Sequence, residues 1–468
     1  MKPVALTELM KNVSADFTGG EALLRSRTVG SICTDTRTLR RGDLFVALRG
    51  DVHDGHDFIG SAVAAGASTV IFETAMKAAV RSFVSRHPDV LFIGVHGTRK
   101  AFGSIARNYR RRFSPVRIAV TGSVGKTTTK TFIHRVLSKR FKVVASIRSY
   151  NNDIGVPKTL LEIDESTEVL VQELGTNHPG EIEYLAGLLE PDCGVITNIG
   201  PAHIGFFGTE ENIAGEKKHA VSVLPKTGCA FLNAEDKYFD FLRADLAAEV
   251  RSFGLRKGDL HPEKIIEIGI GDSTFVIDGV TIRLPAAGVH SVVNGVCAAL
   301  VGGYFGLSTE EIKDALENIP PQEGRGRIFE KAGALLIDET YNANPLSVSA
   351  SIDYLGSVGT GGRRIFVLGD MLELGEGSDS YHRDMAGRIM KSGVDILYTY
   401  GSKASLTAEA CMEGGLGEVH AFGSIDELSE TLRKTLRAGD IVLFKASRAV
   451  RLERAFSALI GEDDYDRR

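Results

Sequence analysis

The chain has 468 residues, too many for one ordinary hydrophobic core, so roughly two to four domains are expected. An apolar fraction of 43% and a charged fraction of 25% are those of a soluble globular protein. The net charge of −5 gives no reason to expect a nucleic-acid partner, and no apolar run approaches the length that spans a bilayer.

The N-terminal MKPVALTELMKNV lacks the apolar core of a signal peptide. Cys33, Cys193, Cys229, Cys297 and Cys411 are scattered, without C-x-x-C pairs, and read as reduced thiols of a cytoplasmic protein.

Residues 1–96 open with short strands and turns. Helices are expected over 57–65 and 76–85, and strands over 68–72 and 90–95. Two polar clusters interrupt them: Thr34-Asp35-Thr36-Arg37, and the run 51–57 that contains Asp54, Gly55 and His56. From the residues alone, turn chemistry with Asp57 as a helix N-cap is the favoured reading, and a module gripping part of a substrate is the alternative. A basic helix over 99–112, ending in Arg110-Arg111-Arg112, reads as a solvated linker.

Residues 97–320 alternate strands and helices as a parallel, doubly wound sheet does. Strands are expected at 118–121, 143–146, 169–174, 194–198 and 230–233, with helices over 126–140, 156–163, 180–189 and 211–224. The stretch VRIAVTGSVGKTTT is an apolar strand, a glycine turn and a helix opening at Lys126. Backbone N–H groups of Gly122, Ser123, Val124, Gly125, Lys126, Thr127 and Thr128 are thereby offered to phosphate. Lys126 is placed for the outer phosphates and the Thr127 hydroxyl for Mg²⁺. Val120 stands where the general pattern has its first glycine, so the loop is the shortened G-x-x-G-K-T.

Polar loops follow the other strand ends. One holds Asn151 and Asn152, one Glu173 and Asn177, and one His203. Glu173 is the candidate second anchor for Mg²⁺. His203 reads as a metal ligand, a phosphate contact or a structural hydrogen-bonder. Lys217 and Lys218 read, from local sequence, as helix surface. A hairpin is expected over 273–284 around Asp278-Gly279, then helices to 305 and over 309–319, the last with a Ser308/Glu311 capping box.

Residues 321–468 repeat the alternation, with strands at 334–338, 365–369, 396–400, 419–422 and 441–445. Polar loops again follow: DETYNANP over 338–345, GDM from 369, and Lys445-Ala446-Ser447-Arg448. No G-x-G-x-x-G nicotinamide fingerprint occurs, and the charged tail after Gly461 reads as frayed. The fold class expected is α/β in three domains: a small N-terminal substrate domain (1–96), a central parallel-sheet P-loop ATPase domain (97–320) and a C-terminal Rossmann-like domain (321–468).

Several separated motifs then coincide with one family. TGSVGKT, YNNDIGVP, ELGTNHPGEI, TNIGPAH and the His290-x-x-x-Asn294 pair resemble, in order and spacing, the Mur ligases, ATP-dependent amino-acid-adding enzymes of cell-wall precursor synthesis. DETYNANP and Gly369-Asp370-Met371-Leu372-Glu373-Leu374-Gly375 look like the last member of the series, which adds D-alanyl-D-alanine to UDP-N-acetylmuramoyl-tripeptide.

The resemblance implies ATP and Mg²⁺ as cofactors, with Lys126 and Thr127 on the phosphates and Glu173 and His203 at the metal. It implies that Asn294 and His290 lie on the adenine side, and that Arg325 or Arg327, Asp338, Asn342 and Asn344 meet nucleotide and substrate. It turns Thr34, Asp35, Thr36, Arg37, Asp54, Gly55 and His56 into a grip on the UDP-sugar, and adds Asn151, Asn152, Asn177, Lys445 and Ser447 as substrate contacts. Lys217 aligns with a family lysine that is carbamylated in several members, although Ala214-Gly215-Glu216 before it departs from the usual context. A cytoplasmic monomer is implied. The rival readings are the preceding ligase of the series, a folate polyglutamate ligase, and a nucleotide-dependent switch that needs no acceptor amine.

Overall fold

The computed structural model describes residues 1–18, 21–50 and 52–461. Asp51 of the second polar cluster and the charged tail 462–468 lie outside the described residues. The chain divides into two compact units. One contains 1–119, 141–176 and 181–193; the other contains 120–140, 177–180 and 194–468.

In the first unit a five-stranded sheet runs Ala15–Thr18, Leu91–Val95, Thr69–Glu73, Leu44–Val46, Ile32–Cys33. The first pair is antiparallel and the rest parallel. Leu91–Val95 is buried along its whole length, as a strand covered on both faces must be, and so reads as an unbroken apolar run. Asp54, not Asp57, is the helix cap: its carboxylate accepts from the His56 backbone N–H at the start of a 3₁₀ turn, Gly55–Phe58, which leads into Ile59–Ala64.

The basic helix, Thr98–Arg110, is not a solvated linker. Ala101, Phe102, Ile105, Ala106 and Tyr109 are buried, and Arg107, Arg110 and Arg111 converge on Glu190. Burial works against that carboxylate's charge, but the arginines hold its pKa down at about 2.

The strand Val116–Thr121 contributes to both units. Its start is bonded on both sides: Val116 N–H donates to Glu168 O, and Asp192 N–H donates to Arg117 O. It therefore lies between Val169–Glu173 and Cys193–Ile196. The chain leaves one side of this strand and returns to the other, and the glycine turn begins at its C-terminal end. Val143–Ala145 pairs parallel with Val169–Glu173, and Glu249–Phe253 parallel with Cys229–Asn233.

In the second unit the hairpin Ser273–Ile277/Val280–Leu284 turns at Asp278 and Gly279, both with positive φ, +47° and +73°. These are the left-handed positions that a two-residue hairpin turn requires. The Ser308/Glu311 capping box opens Thr309–Glu317 as its sequence predicts.

The C-terminal sheet runs Arg327–Lys331, Ala334–Glu339, Ile441–Lys445, Arg364–Gly369, Ile396–Tyr400, Glu418–Phe422. Only its first pair is antiparallel. Its strands feed two cores by simple alternation: Ile337, Phe366 and Leu443 face one side, Leu336, Ile365 and Val442 the other. Ile441–Lys445 lies between two strands adjacent to each other in the chain, so Lys445 ends where the strand order reverses.

Candidate active site

The glycine turn after Thr121 is held from outside. Val124 N–H donates to Asn198 Oδ1 (2.9 Å), and Val124 O accepts from Asn198 Nδ2 (3.0 Å) and Thr197 Oγ1 (2.5 Å). Ser123 N–H donates to Asn198 O, and Ser123 Oγ pairs with Gly200 at 2.9 Å. The glycines are required by contact as well as by conformation. Gly122 has φ +147°, and a Cβ there would lie 1.9 Å from Thr197 Oγ1; Gly125 has φ +83°, and a Cβ would lie 2.8 Å from Asn294 Oδ1.

Thr197 and Asn198 are thus functional residues that sequence reasoning passed over. Their signal was present in TNIGPAH, one strand end from the P-loop strand.

Helix Lys126–Leu137 starts directly from Gly125. Thr129 N–H, on Gly125 O at 2.8 Å, closes its first turn, so Lys126, Thr127 and Thr128 occupy the N-terminal positions where a helix favours anions. Lys126 Nζ donates to Gly122 O (2.8 Å), which folds the lysine back over the loop.

The Thr127 hydroxyl accepts from Arg325 Nη2 at 3.0 Å, and the Arg325 guanidinium lies over the Tyr341 ring at 4.1 Å. Arg327 instead covers Phe329, at 4.9 Å. Of the two candidates, Arg325 is the one that reaches the phosphate loop.

Asn294 sits beneath the loop on helix Val289–Tyr304, where its Oδ1 accepts from Thr129 Oγ1 (3.1 Å). Through that oxygen Asn294 buttresses the first turn of the helix behind the loop. Burial pushes the His290 imidazole below its ordinary pKa, against the opposing pull of Glu339.

Lys217, on helix Glu210–Ser222, is only 1% exposed. Burial drives its amine far below the ordinary lysine pKa, and the Lys126 charge pushes it the same way. The expectation of a solvent-facing lysine fails here, because the helix presents Glu216 and Lys217 inward together. Glu216 accepts from Gly180 N–H at 2.8 Å. His203 faces Glu373, with Nδ1 2.5 Å from Oε2.

In the first unit, Glu173 ends its strand 1% exposed and accepts from Asn151 Nδ2 (2.8 Å). Asn152 caps the turn into Gly155–Leu160 through the N–H groups of Ile154 and Gly155. Asn177, in the second unit, is exposed.

Thr34 to Arg37 form a turn after Ile32–Cys33. Arg37 grips Asp35, chiefly by their side-chain hydrogen bonds, and holds that carboxyl at about 2. Asp54, Gly55 and His56 are fully used internally. His56 Nδ1 donates to Asp54 Oδ1 (2.5 Å), and its Nε2 accepts from Glu73 N–H (2.9 Å). Asp54 Oδ2 takes Arg49, and a Cβ on Gly55 would lie 2.6 Å from the Leu48 backbone. Both His56 ring nitrogens thus have partners within the fold.

The third set of loops converges on Lys445 and Ser447. Lys445 Nζ donates to Glu339 Oε2 (3.1 Å) and Asn342 O (3.3 Å). Ser447 Oγ donates to Ala343 O and accepts from Leu372 N–H. Both are buried and tie loops together. Ser351 also bonds Glu339. Burial opposes the Glu339 charge, but Lys445 and His290 keep its carboxyl below the ordinary range.

Asp338 accepts from Thr340 N–H and Oγ1, and Asn342 Oδ1 from Ala343 N–H. Asn344 is a helix cap. It exchanges bonds with Ser347 in a capping box ahead of Pro345.

Three family models match the chain. They are the Mur ligase family catalytic domain over 28–110, the Mur ligase middle domain over 120–302, and the Mur ligase, glutamate ligase domain over 324–448. The UDP-N-acetylmuramoyl-tripeptide–D-alanyl-D-alanine ligase of a Synechocystis strain is 36% identical, over 93% of each chain. That of Bacillus subtilis is 31% identical, over 92% of this chain and 93% of its own. Among solved structures, a crystal structure of MurF from Acinetobacter baumannii superposes with a TM-score of 0.87 at 30% identity, covering 98% of this chain and 99% of that one. MurF ligase from Thermotoga maritima in complex with ADP gives 0.80 at 27%, covering 93% and 98%. The resemblance read from the motifs is borne out, and the chain belongs to the Mur ligase family.

Proposed function

We propose that this protein ligates D-alanyl-D-alanine to the C-terminal carboxylate of UDP-N-acetylmuramoyl-tripeptide, with ATP converted to ADP and phosphate. The observation that carries the reading is the clamped loop, with Lys126 and Thr127 at a helix start and Arg325 on the Thr127 hydroxyl. Relatives bearing that activity in their names, similar over nine-tenths of the chain, support it.

A carboxylate is a poor electrophile. ATP's γ-phosphoryl group therefore goes first to the tripeptide carboxylate, giving an acyl phosphate. The D-alanyl-D-alanine amine then attacks the acyl carbon and phosphate leaves with its bridging oxygen. Lys126 and Arg325 place positive charge where the transferring phosphoryl group builds negative charge. The Thr127 hydroxyl and Glu173 carboxylate are hard oxygen donors of the kind Mg²⁺ takes. Among the described residues no group of three or more His, Cys, Asp or Glu side chains forms a metal cage. In such sites one or two protein oxygens suffice, with phosphates and water supplying the rest. When bound, the ion would offset negative charge on the transferring phosphoryl group.

Thr34, Asp35, Thr36 and Arg37 remain the proposed grip on the UDP-sugar, within segments bounded near 96 and 320. A buried, neutral amine is the form that adds carbon dioxide, so Lys217 is a suitable carbamate. Addition of carbon dioxide releases one proton and would leave an anion beside the Lys126 cation. No helix among the described residues is long and apolar enough to cross a membrane. A cytoplasmic monomer is the proposed working form.

The test is phosphate release from ATP and Mg²⁺ by purified protein, with each acceptor present or omitted. Release that needs both, with a product heavier by one dipeptide unit, is expected. Release indifferent to both would replace the ligase with a nucleotide-dependent switch.

A further inference from the structure

The GDMLELG run of the C-terminal segment is not used by the mechanism above, yet its glutamate meets His203. The two loops touch backbone to backbone. Gly205 N–H donates to Glu373 O at 3.0 Å. A Cβ on Gly205 would lie 2.7 Å from Gly375 N, and one on Gly375 would lie 2.7 Å from Gly205 Cα, so neither position tolerates a side chain. His203 and Glu373 both hold left-handed backbone, with φ +59° and +64°, although neither is glycine. That geometry brings Nδ1 and Oε2 to 2.5 Å. The His203 side chain is 19% exposed and that of Glu373 is 42% exposed, so the pair is open to small ligands. His178 lies against Phe206, ring centroids 4.6 Å apart, on the same loop.

An ionised carboxylate only accepts, so Nδ1 carries the proton. A neutral imidazole protonated at Nδ1 presents a lone pair at Nε2, the atom that a cation or a donor on a ligand would use.

We propose that Glu373 is a positioning residue that fixes the tautomer and aim of His203, and that it does so only while the 371–375 loop of the C-terminal segment is seated on the 203–205 loop. The inference rests on the ligase reading for what His203 serves. Seating of the C-terminal segment and readiness of His203 thereby become one event. A plain surface ion pair would hold the loops together without setting the ring.

The test is ¹⁵N NMR of histidine-labelled protein, with the His203 signals assigned by their loss in His203→Gln. In the unsubstituted protein Nδ1 carries the proton and Nε2 does not. In Glu373→Ala the ring shifts to the Nε2–H form, and kcat falls roughly 10- to 100-fold, with KM for ATP within about twofold. Glu373→Gln falls between, because its carboxamide still accepts. Glu376→Gln, on an exposed neighbour, leaves tautomer and turnover unchanged. The same tautomer in the unsubstituted protein and Glu373→Ala, or an unchanged kcat in Glu373→Ala, overturns the proposal. A tautomer change in protein that shows no acceptor-dependent turnover would reject the ligase reading and leave the positioning of His203 standing.

Discussion

The turn that carries Lys126 and the turn that carries His56 look alike as sequence. Each is a short polar run with a glycine, following an apolar strand, and the resemblance marks both as sites. They differ in where their hydrogen bonds go. The Lys126 turn is held by Thr197, Asn198 and Gly200, which arrive from the end of a different strand. Its shape is set in large part by residues outside the loop. The Asp54–His56 turn is held by its own motif side chains: His56 joins Asp54 to the Glu73 backbone, and Arg49 closes the other oxygen. A motif residue can therefore be chemistry or scaffold, and the destination of its polar atoms tells which.

That contrast can be broken by substitution. Lys126→Ala should lower kcat on the order of 10²-fold or more, with the thermal midpoint little changed, because a charge aimed at the transferring phosphoryl group is lost. An unchanged kcat would remove the loop from the mechanism. Lys217→Met should abolish most turnover yet leave the protein equally or more stable, because a buried amine gives way to an apolar chain of similar length. Rescue of Lys217→Ala by a short carboxylic acid would identify the carbamate, and a stability loss in Lys217→Met would contradict the burial argument.

Asn198→Ala removes both bonds to Val124 and should lower kcat/KM for ATP about 30-fold, at about 1 kcal/mol per bond. His56→Ala should do the reverse. It costs about 2 to 3 kcal/mol of stability, through the unpaired Glu73 N–H and the lost side-chain bond to Asp54 Oδ1, with kcat at saturating substrate unchanged. A large kcat effect with no stability loss would return His56 to the substrate site.

The smallest effect is at the opposite end of the P-loop strand. Glu190 is held at about 2, below its ordinary value near 4.5, so its contribution is full above the ordinary value and is lost as pH falls through about 2. Glu190→Gln should therefore flatten the loss of stability between those limits, measured by urea unfolding. Identical acid profiles would show that the arginine cluster contributes nothing.

Most of the fold was legible in the sequence. The strands Ile396–Tyr400 and Ile441–Lys445 and the Ser308 capping box fall where the pattern put them. The strands that escaped notice, Glu249–Phe253, Lys264–Ile268 and Arg327–Lys331, all lie at sheet edges. With one edge in solvent they carry charged and half-exposed residues and lack the apolar run that marks a buried strand.

The site was legible as a set of motifs but not as roles. Nothing local in AGEKKH says that Lys217 turns inward and Lys218 outward, because that depends on what the helix packs against. The Asn344-Ala343 neighbourhood shows the same limit: NANP reads as a binding signature, yet Asn344 before Pro345 is also a good helix start.

The acyl phosphate is the central claim, and it leaves an isotopic mark. UDP-N-acetylmuramoyl-tripeptide labelled with ¹⁸O in its terminal carboxylate would be turned over with ATP and D-alanyl-D-alanine, and the released phosphate analysed by mass spectrometry. One ¹⁸O in the phosphate for each peptide bond formed is predicted, since the oxygen bridging carbon and phosphorus departs with phosphorus. Peptide bond formation with unlabelled phosphate would contradict the account.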